Sequence, residues 1–210
     1  MSKIKEIAQS IESGNHKIIE GLITEALKEG TDPVTVLNEG MLKAMSVVGD
    51  KFQKGKAFVP EMLMAARAMK AGMEVLKPKL AGKANASLGK CIIETVHGDL
   101  HDIGKNLVAI MIESSGFEVI DLGADVPVDK FISAIKQNPD VKLVALSCLI
   151  TTTIPALKET ADAIKASGLK GFKIIIGGAP ITQEFADIIG VDGYSPDAAS
   201  AAHLAKKLAS

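Results

Sequence analysis

The densest run of chemistry-bearing side chains in this sequence is Glu94-Thr-Val-His-Gly-Asp-Leu-His-Asp-Ile-Gly-Lys-Asn106. It overlaps an apolar, β-type stretch, Cys91-Ile-Ile-Glu-Thr-Val96. It leads into a helical pattern with Ile103, Leu107, Ile110, Met111 and Ser114 on one side. A strand therefore runs into a loop bearing Asp99, His101 and Gly104, and a helix takes over. An imidazole held where a buried strand ends is well placed to meet a metal. Gly104, at the helix start, lets backbone approach a large ligand closely. His97 and His101 have the spacing of a helical zinc pair, but Gly98 and the strand–loop setting keep them off a common helix face. Zinc needs three or four protein ligands, and a single histidine cannot supply them. One imidazole suffices if the metal arrives with its other ligands built in, as in a tetrapyrrole-like macrocycle. Asp99 could then accept the second imidazole N–H, fixing the tautomer and strengthening the donor.

The elements around this loop follow a strand–helix rhythm from Lys90 onward. Strands are predicted at 90–96, 117–122, 141–147, 172–176 and, weakly, 191–194, with helices at about 104–115, 127–137, 153–167, 181–189 and 197–208. Continuous apolar strands alternating with helices indicate a parallel sheet covered on both faces. Five such units fit a flavodoxin-like, doubly wound domain of Rossmann type. With strand order 2-1-3-4-5, its crevice opens between strands one and three. The loop after strand three is Ser147-Cys-Leu-Ile-Thr-Thr-Thr153, and the loop after strand four is Gly177-Gly178-Ala179-Pro180. Both lie at strand carboxyl ends, so they face the same crevice as His101.

The first 80 residues read as helices. Ile4, Ile7, Ala8 and Ile11 recur at helical spacing up to Gly14, and Ile18, Ile19, Leu22, Ile23 and Leu27 do so up to Gly30. Asp32-Pro33 is a helix start, with Val36, Leu37, Met41, Leu42, Met45 and Val48 behind it. A fourth helix begins near Pro60, and Pro78 is expected to stop it. Four short-linked amphipathic helices predict a four-helix bundle over residues 1–80. Small, polar, glycine-flanked residues 81–89 form a linker, and an α/β domain occupies 90–210.

Composition removes several functions. A net charge of −1, no Trp and one Tyr argue against nucleic-acid binding. No apolar run approaches the length of a membrane span, and Met1-Ser-Lys-Ile-Lys-Glu lacks a secretory h-region, so a cytoplasmic location is expected. Cys91 and Cys148 have neither disulfide nor zinc-ribbon spacing and read as buried small hydrophobes. Asp102 and Lys105 read as solvated, with Asp102 a possible support for the loop. Ser147 and Thr151–Thr153 are also suited to cap the helix that follows them.

Asp99-x-His101-x-x-Gly104, then Ser147-x-Leu149, then Gly177-Gly178 resembles the cobalamin-binding signature DxHxxG…SxL…GG. That signature belongs to methionine synthase, corrinoid-dependent mutases and the corrinoid proteins of methyltransferase systems. The helical region, including Phe52-Gln-Lys-Gly-Lys-Ala-Phe-Val-Pro60, resembles the cap of the methyl-transferring branch. The resemblance thus covers nearly the whole chain. It implies that His101 is the lower ligand of cobalt in cobalamin, methylcobalamin when charged, in the base-off/His-on mode. Asp99 would hydrogen-bond that imidazole. The freed nucleotide tail would pass Asp102, Ile103, Gly104, Ser147, Leu149, Thr151 and the Gly177-Gly178 turn. Phe52, Val59 and Met62 would cover the methyl-bearing face. Methionine synthase completes its ligand triad with a serine where this chain has Thr153, which keeps the hydroxyl but restricts its rotamers.

The same resemblance implies a corrinoid methyl carrier, a subunit of a methyltransferase system. A substrate-specific methyltransferase would load it, and a second methyltransferase would pass the methyl to tetrahydrofolate or coenzyme M, with a corrinoid reductive activator as a further partner. Anaerobic demethylation of methylamines or methoxy compounds is the expected setting. The cap would swing aside at the 81–89 linker to admit a partner. Two other readings are a cobalamin-binding sensor without turnover and a mutase small subunit, the second disfavoured by the helical bundle.

Overall fold

The Asp-Pro pair opens its helix because the carboxylate caps it. Asp32 Oδ2 accepts the N–H groups of Val34 at 2.9 Å and Thr35 at 3.2 Å, with Pro33 in the first turn. The structure, a computed structural model, describes residues 2–80 and 87–209. In its N-terminal part α1 (Lys3–Glu12) and α2 (His16–Lys28) precede α3 (Pro33–Thr35). That short helix passes through π-helical turns over Val36–Leu42 into α4 (Lys43–Gln53), and α5 (Val59–Leu80) follows. The periodicity of the third stretch predicts one α-helix. The structure widens its middle instead, where Gly40 lies against α1, so that an added Cβ would stand 3.1 Å from Ile7 Cγ2.

Ile7, Ile11, Ile23, Met41, Met69 and Leu76 are buried in the interior of this helical part. Gly72 of α5 leaves no room at the crossing: a Cβ there would stand 2.7 Å from Met41 Cε and 2.8 Å from Ile23 Cδ1. Pro78 does not stop α5, which continues to Leu80. So near a helix end proline forfeits one backbone bond, to the carbonyl of Glu74, a residue on the exposed side. Most of the predicted linker, residues 81–86, lies outside the described residues.

The chain divides into two compact units, one formed by Met1–Ser87 with Ser114–Gly116 and the other by Leu88–Glu113 with Phe117–Ser210. In the second unit β1 (Lys90–Thr95), β2 (Glu118–Asp121), β3 (Val141–Ser147), β4 (Lys173–Gly177) and β5 (Gly193–Ser195) form one sheet in the order β2-β1-β3-β4-β5. All its neighbouring pairs are parallel. The helices are α6 (Ile103–Glu113), α7 (Val128–Gln137), α8 (Ile154–Ala166), α9 (Gln183–Ile189) and α10 (Ala198–Ala209). Alternate strand residues serve opposite faces. Cys91, Ile93, Leu143, Ala145 and Ile175 pack with Ala109 and Ile112 of α6 and Ala205 of α10. Ile92, Val144, Leu146, Ile174 and Ile176 pack with residues of α7, α8 and α9.

Two features of the sheet set its energetics. Glu94 of β1, in a strand whose neighbours are aliphatic, is fully buried, and neither carboxylate oxygen has a hydrogen-bond partner. Burial raises its carboxyl to about 9, against a smaller opposing pull from Lys130. At the end of β4, Gly178 has φ +129°, and a Cβ there would stand 1.7 Å from the Cys148 carbonyl oxygen. Only glycine lets the β4 turn lie on the β3 loop. Gly104 is the opposite case, since a Cβ there would meet nothing within 4 Å.

Gly178→Ala is therefore expected to destabilise the apo-protein by about 3 kcal/mol or more in denaturant unfolding. Gly104→Ala is expected to be neutral or to stabilise by about 1 kcal/mol, as glycine-to-alanine does inside a helix. Glu94 has a second measurable consequence. Below its unfolded value of 4.5 the acid is protonated in both states, so its contribution is intact. As pH rises from about 4.5 to about 9, stability is lost by about 1.4 kcal/mol per pH unit. Glu94→Gln should flatten this slope, so the unfolding midpoint of the variant should gain on that of the natural chain between pH 5 and pH 8.

Candidate cofactor site

Four strand ends lie in one row, because the register pairs Thr95 with Ser147, Ser147 with Gly177 and Gly177 with Ser195. The loops after β1, β3 and β4 consequently leave the sheet side by side, on either side of the β1–β3 switch point. The backbone ties them together there. Val96 N–H donates to Ser147 O at 3.1 Å, and Cys148 N–H donates to Gly177 O at 3.1 Å.

Asp99 is the centre of the site and has no exposed surface. Its Oδ1 accepts the His101 backbone N–H at 3.0 Å and lies 2.8 Å from His101 Nδ1. Its Oδ2 accepts the Leu149 N–H at 2.7 Å and the Thr153 hydroxyl at 3.1 Å. Burial pushes this carboxyl upward, but the donors from Leu149, His101 and Thr153 outweigh it and hold it at about 2. Asp99 is thus a carboxylate at neutral pH, and His101 Nδ1 is the N–H donor of the pair. Half of the His101 side chain, 51%, stays exposed, which leaves Nε2 as the nitrogen open to a ligand. Thr153 is buried, and its Oγ1 also lies 3.0 Å from Ile150 O and 3.2 Å from Cys148 Sγ.

The remaining residues singled out from the sequence separate into groups. Gly104 lies in the first turn of α6, next to Ile103, which is 87% exposed and so lies outside the apolar stripe predicted for it. Ser147 ends β3, Thr151 is exposed in a 3-10 turn over Thr151–Thr153, and Gly177 ends β4. Neither Ser147 nor these threonines caps α8 through its side chain. Thr153 occupies the cap position, but its hydroxyl is turned to Asp99. Phe52, Val59 and Met62 belong to the helical unit, with Val59 exposed, Phe52 half-buried and Met62 fully buried.

Several supports escaped the sequence analysis. Thr95 Oγ1 donates to His101 O at 2.9 Å, and Asp125 N–H donates to Asp99 O at 2.9 Å. Asp125 holds a left-handed backbone, φ 53°, which aspartate tolerates better than most residues. Its carboxylate accepts the Gly98 N–H at 2.7 Å and lies 2.8 Å from His97 Nδ1. The expectation that Lys105 is solvated is wrong. Lys105 is 2% exposed, pairs with Asp121 at the end of β2 and donates to Asn106 Oδ1 at 2.8 Å. A buried ammonium needs such a partner. Asp102 supports the loop, accepting Asn106 Nδ2–H at 3.1 Å.

This arrangement does not suit a bare ion: among the described residues no three His, Cys, Asp or Glu side chains are placed to share one. It does suit a metal whose equatorial ligands come with it. One imidazole is oriented by a buried carboxylate, and Leu100, Leu149 and Ile150 on the two loops, with Ile103 at the start of α6, expose apolar surface. The open space at Gly104 leaves backbone accessible beside them.

Comparison with known proteins agrees with this chemistry. Residues 89–203 and residues 3–77 each match a family model described as a B12 binding domain. Trimethylamine corrinoid protein 2 of Methanosarcina acetivorans is 41% identical over 207 residues, which is 97% of this chain and 94% of that protein. A cobalamin-binding protein from Desulfitobacterium hafniense DCB-2 superposes with a TM-score of 0.81 at 31% identity, over 98% of each chain. The methanol:cobalamin methyltransferase complex MtaBC from Methanosarcina barkeri gives a TM-score of 0.84 at 30% identity, over 99% of this chain and 79% of that one. With relatives aligned along nearly its whole length and B12 binding domains matched in both halves, the chain belongs to the cobalamin-binding corrinoid proteins.

Proposed function

We propose that this protein is a methyl carrier that holds cobalamin with His101 as the lower ligand of cobalt. The observation that carries the proposal is the His101–Asp99 pair, with Nδ1 bound 2.8 Å from a buried carboxylate and the opposite nitrogen free. When bound, the cobalamin supplies a cobalt centre that accepts and releases a methyl group. Asp99 fixes the imidazole tautomer and draws on its N–H, so Nε2 is a better donor. Thr153 supplies the hydroxyl of the third position and limits that draw by donating to Asp99 itself. Leu100, Ile103, Leu149 and Ile150 give the macrocycle an apolar bed and keep water from the ligand. The nucleotide tail is assigned the path past Gly104, Ser147, Thr151 and the Gly177-Gly178 turn. Phe52, Val59 and Met62 are assigned to the methyl-bearing face, and the 81–89 segment is assigned as the hinge between a helical cap and the cobalamin-binding domain.

A carrier needs proteins to load and unload it. Similarity to a chain of a methanol:cobalamin methyltransferase complex supports a substrate-specific methyltransferase as the loading partner. Similarity to a trimethylamine corrinoid protein favours a methylated amine over a methoxy compound as donor. A second methyltransferase would unload the methyl to tetrahydrofolate or coenzyme M, and a reductive activator would restore cobalt after oxidation. The proposed setting for these reactions is the cytoplasm.

Apo-protein mixed with hydroxocobalamin is expected to give the visible spectrum of a base-off, imidazole-ligated corrinoid and, after chemical reduction to cobalt(II), the paramagnetic-resonance spectrum of one axial nitrogen. In His101→Ala the nitrogen coordination should vanish while a corrinoid still binds through the remaining contacts, and Asp99→Asn should weaken binding by about 10–100-fold. Coordination unchanged in that variant would overturn the assignment. The carrier role has its own assay. Protein loaded with cobalamin and reduced should gain a methyl from a methylamine when a cognate methyltransferase is added, and lose it to the acceptor through the second. Tight binding without any methylation across the methylamine, methoxy-compound and methanol methyltransferases would point to a sensor instead.

A further inference from the structure

The Thr153 hydroxyl has one proton and two oxygen acceptors at nearly equal reach, Asp99 Oδ2 at 3.1 Å and Ile150 O at 3.0 Å, with the weaker acceptor Cys148 Sγ at 3.2 Å. It cannot serve both. When it serves Asp99 the carboxylate has four donors, and when it serves Ile150 the carboxylate has three, all of them held by backbone or by His101 itself. The state of this one hydroxyl therefore sets how hard Asp99 draws on the imidazole.

Cys148 is placed to decide between the two. Its side chain is buried, with Sγ 3.3 Å from Ile150 O and 3.2 Å from Thr153 Oγ1. The Ile150 carbonyl already accepts the Thr153 backbone N–H at 3.1 Å, so one lone pair remains to be contested. A thiol proton on that lone pair turns the Thr153 hydroxyl toward Asp99. A thiol proton on Thr153 Oγ1 would instead strengthen the hydroxyl as a donor without choosing its acceptor, so the directing arrangement is the one with the thiol proton on Ile150 O. The neighbouring backbone fixes the sulfur for this task. Cys148 N–H is bonded to Gly177 O, and the Cys148 carbonyl lies where a side chain on Gly178 would be.

We infer that Cys148 is a positioning residue which keeps the Thr153 hydroxyl on Asp99 and so weakens the hold of His101 on cobalt. This inference rests on the proposed cobalamin site and extends it by one residue that never touches the cofactor. A carrier must let its lower ligand go as readily as it takes it up. A thiol is a suitable tuner, being a weak donor in a site where a strong one would leave no balance to shift.

The test compares Cys148→Ala, Cys148→Ser, Thr153→Val and the double variant C148A/T153V. Two readouts are used: the His101 imidazole N–H resonance in apo-protein, and the ratio of imidazole-ligated to unligated cobalt(II) by paramagnetic resonance after loading with cobalamin. Cys148→Ala is expected to move the resonance downfield and to raise the ligated ratio by roughly threefold to fivefold, the effect of one modest hydrogen bond. Thr153→Val should move both in the same direction, and Cys148→Ser, which donates more strongly, should move neither that way and should shift both, if at all, in the opposite direction. The double variant should match Thr153→Val alone, since without the hydroxyl the thiol has nothing to direct. Additive effects in the double variant would overturn the inference. So would Cys148→Ala indistinguishable from the natural chain while His101→Ala still abolishes coordination. If the natural chain itself lacks imidazole coordination the cobalamin reading fails, and the apo-protein resonances still decide the role of Cys148.

Discussion

A carboxylate sealed from water and surrounded by four hydrogen-bond donors is the constraint on which this site depends. Asp99 could not stay ionised in that position without the donors, and the donors come from both sides of the β1–β3 junction. Two belong to the Asp99 loop itself, the backbone and ring of His101, and two belong to the loop after β3. The charge therefore does two jobs at once. It orients the imidazole, and it holds together two loops that a parallel sheet would otherwise leave independent. Their alignment is in turn a property of strand register, since the last residues of β1, β3, β4 and β5 stand in one row.

Much of this was legible in the sequence, and for identifiable reasons. The strand Val141–Ser147 is legible to the residue because Val141 and the aliphatic run Leu143–Leu146 follow the polar Asn138-Pro139-Asp140 turn. The order of the sheet followed from the βα rhythm, and with it the convergence of the three loops. Asp99 and His101 stood out because an imidazole and a carboxylate two residues apart at a strand end have few other uses. From the residues alone Thr153 reads as a cap for the helix that follows it; the family pattern alone sets it beside Asp99, where the structure has its hydroxyl.

What the sequence hid was decided by tertiary contact. Lys105 looks solvated in any one-dimensional account, because lysine on a helix usually is. Its burial depends on Asp121, sixteen residues later and on a different element. Glu94 is hidden for a related reason: a strand pattern cannot say whether a charged residue within it is paired. Pro78 misled in the other direction, since its effect on a helix depends on how close the end is. The π-helical turns at Val36–Leu42 left no trace in the periodicity, which reports the buried side of a helix and not its winding.

The sheet also has two outer strands, β2 and β5, of four and three residues. The first is bounded by acidic Glu118 and Asp121, and the second is flanked by the Gly190 turn and α10. Neither offers enough free backbone for a strand of another molecule to zip onto, and the exposed Glu118 carboxylate on β2 disfavours pairing with an identical copy. For the carrier proposed above, edges that bind no partner would leave its encounters to surfaces that can let go.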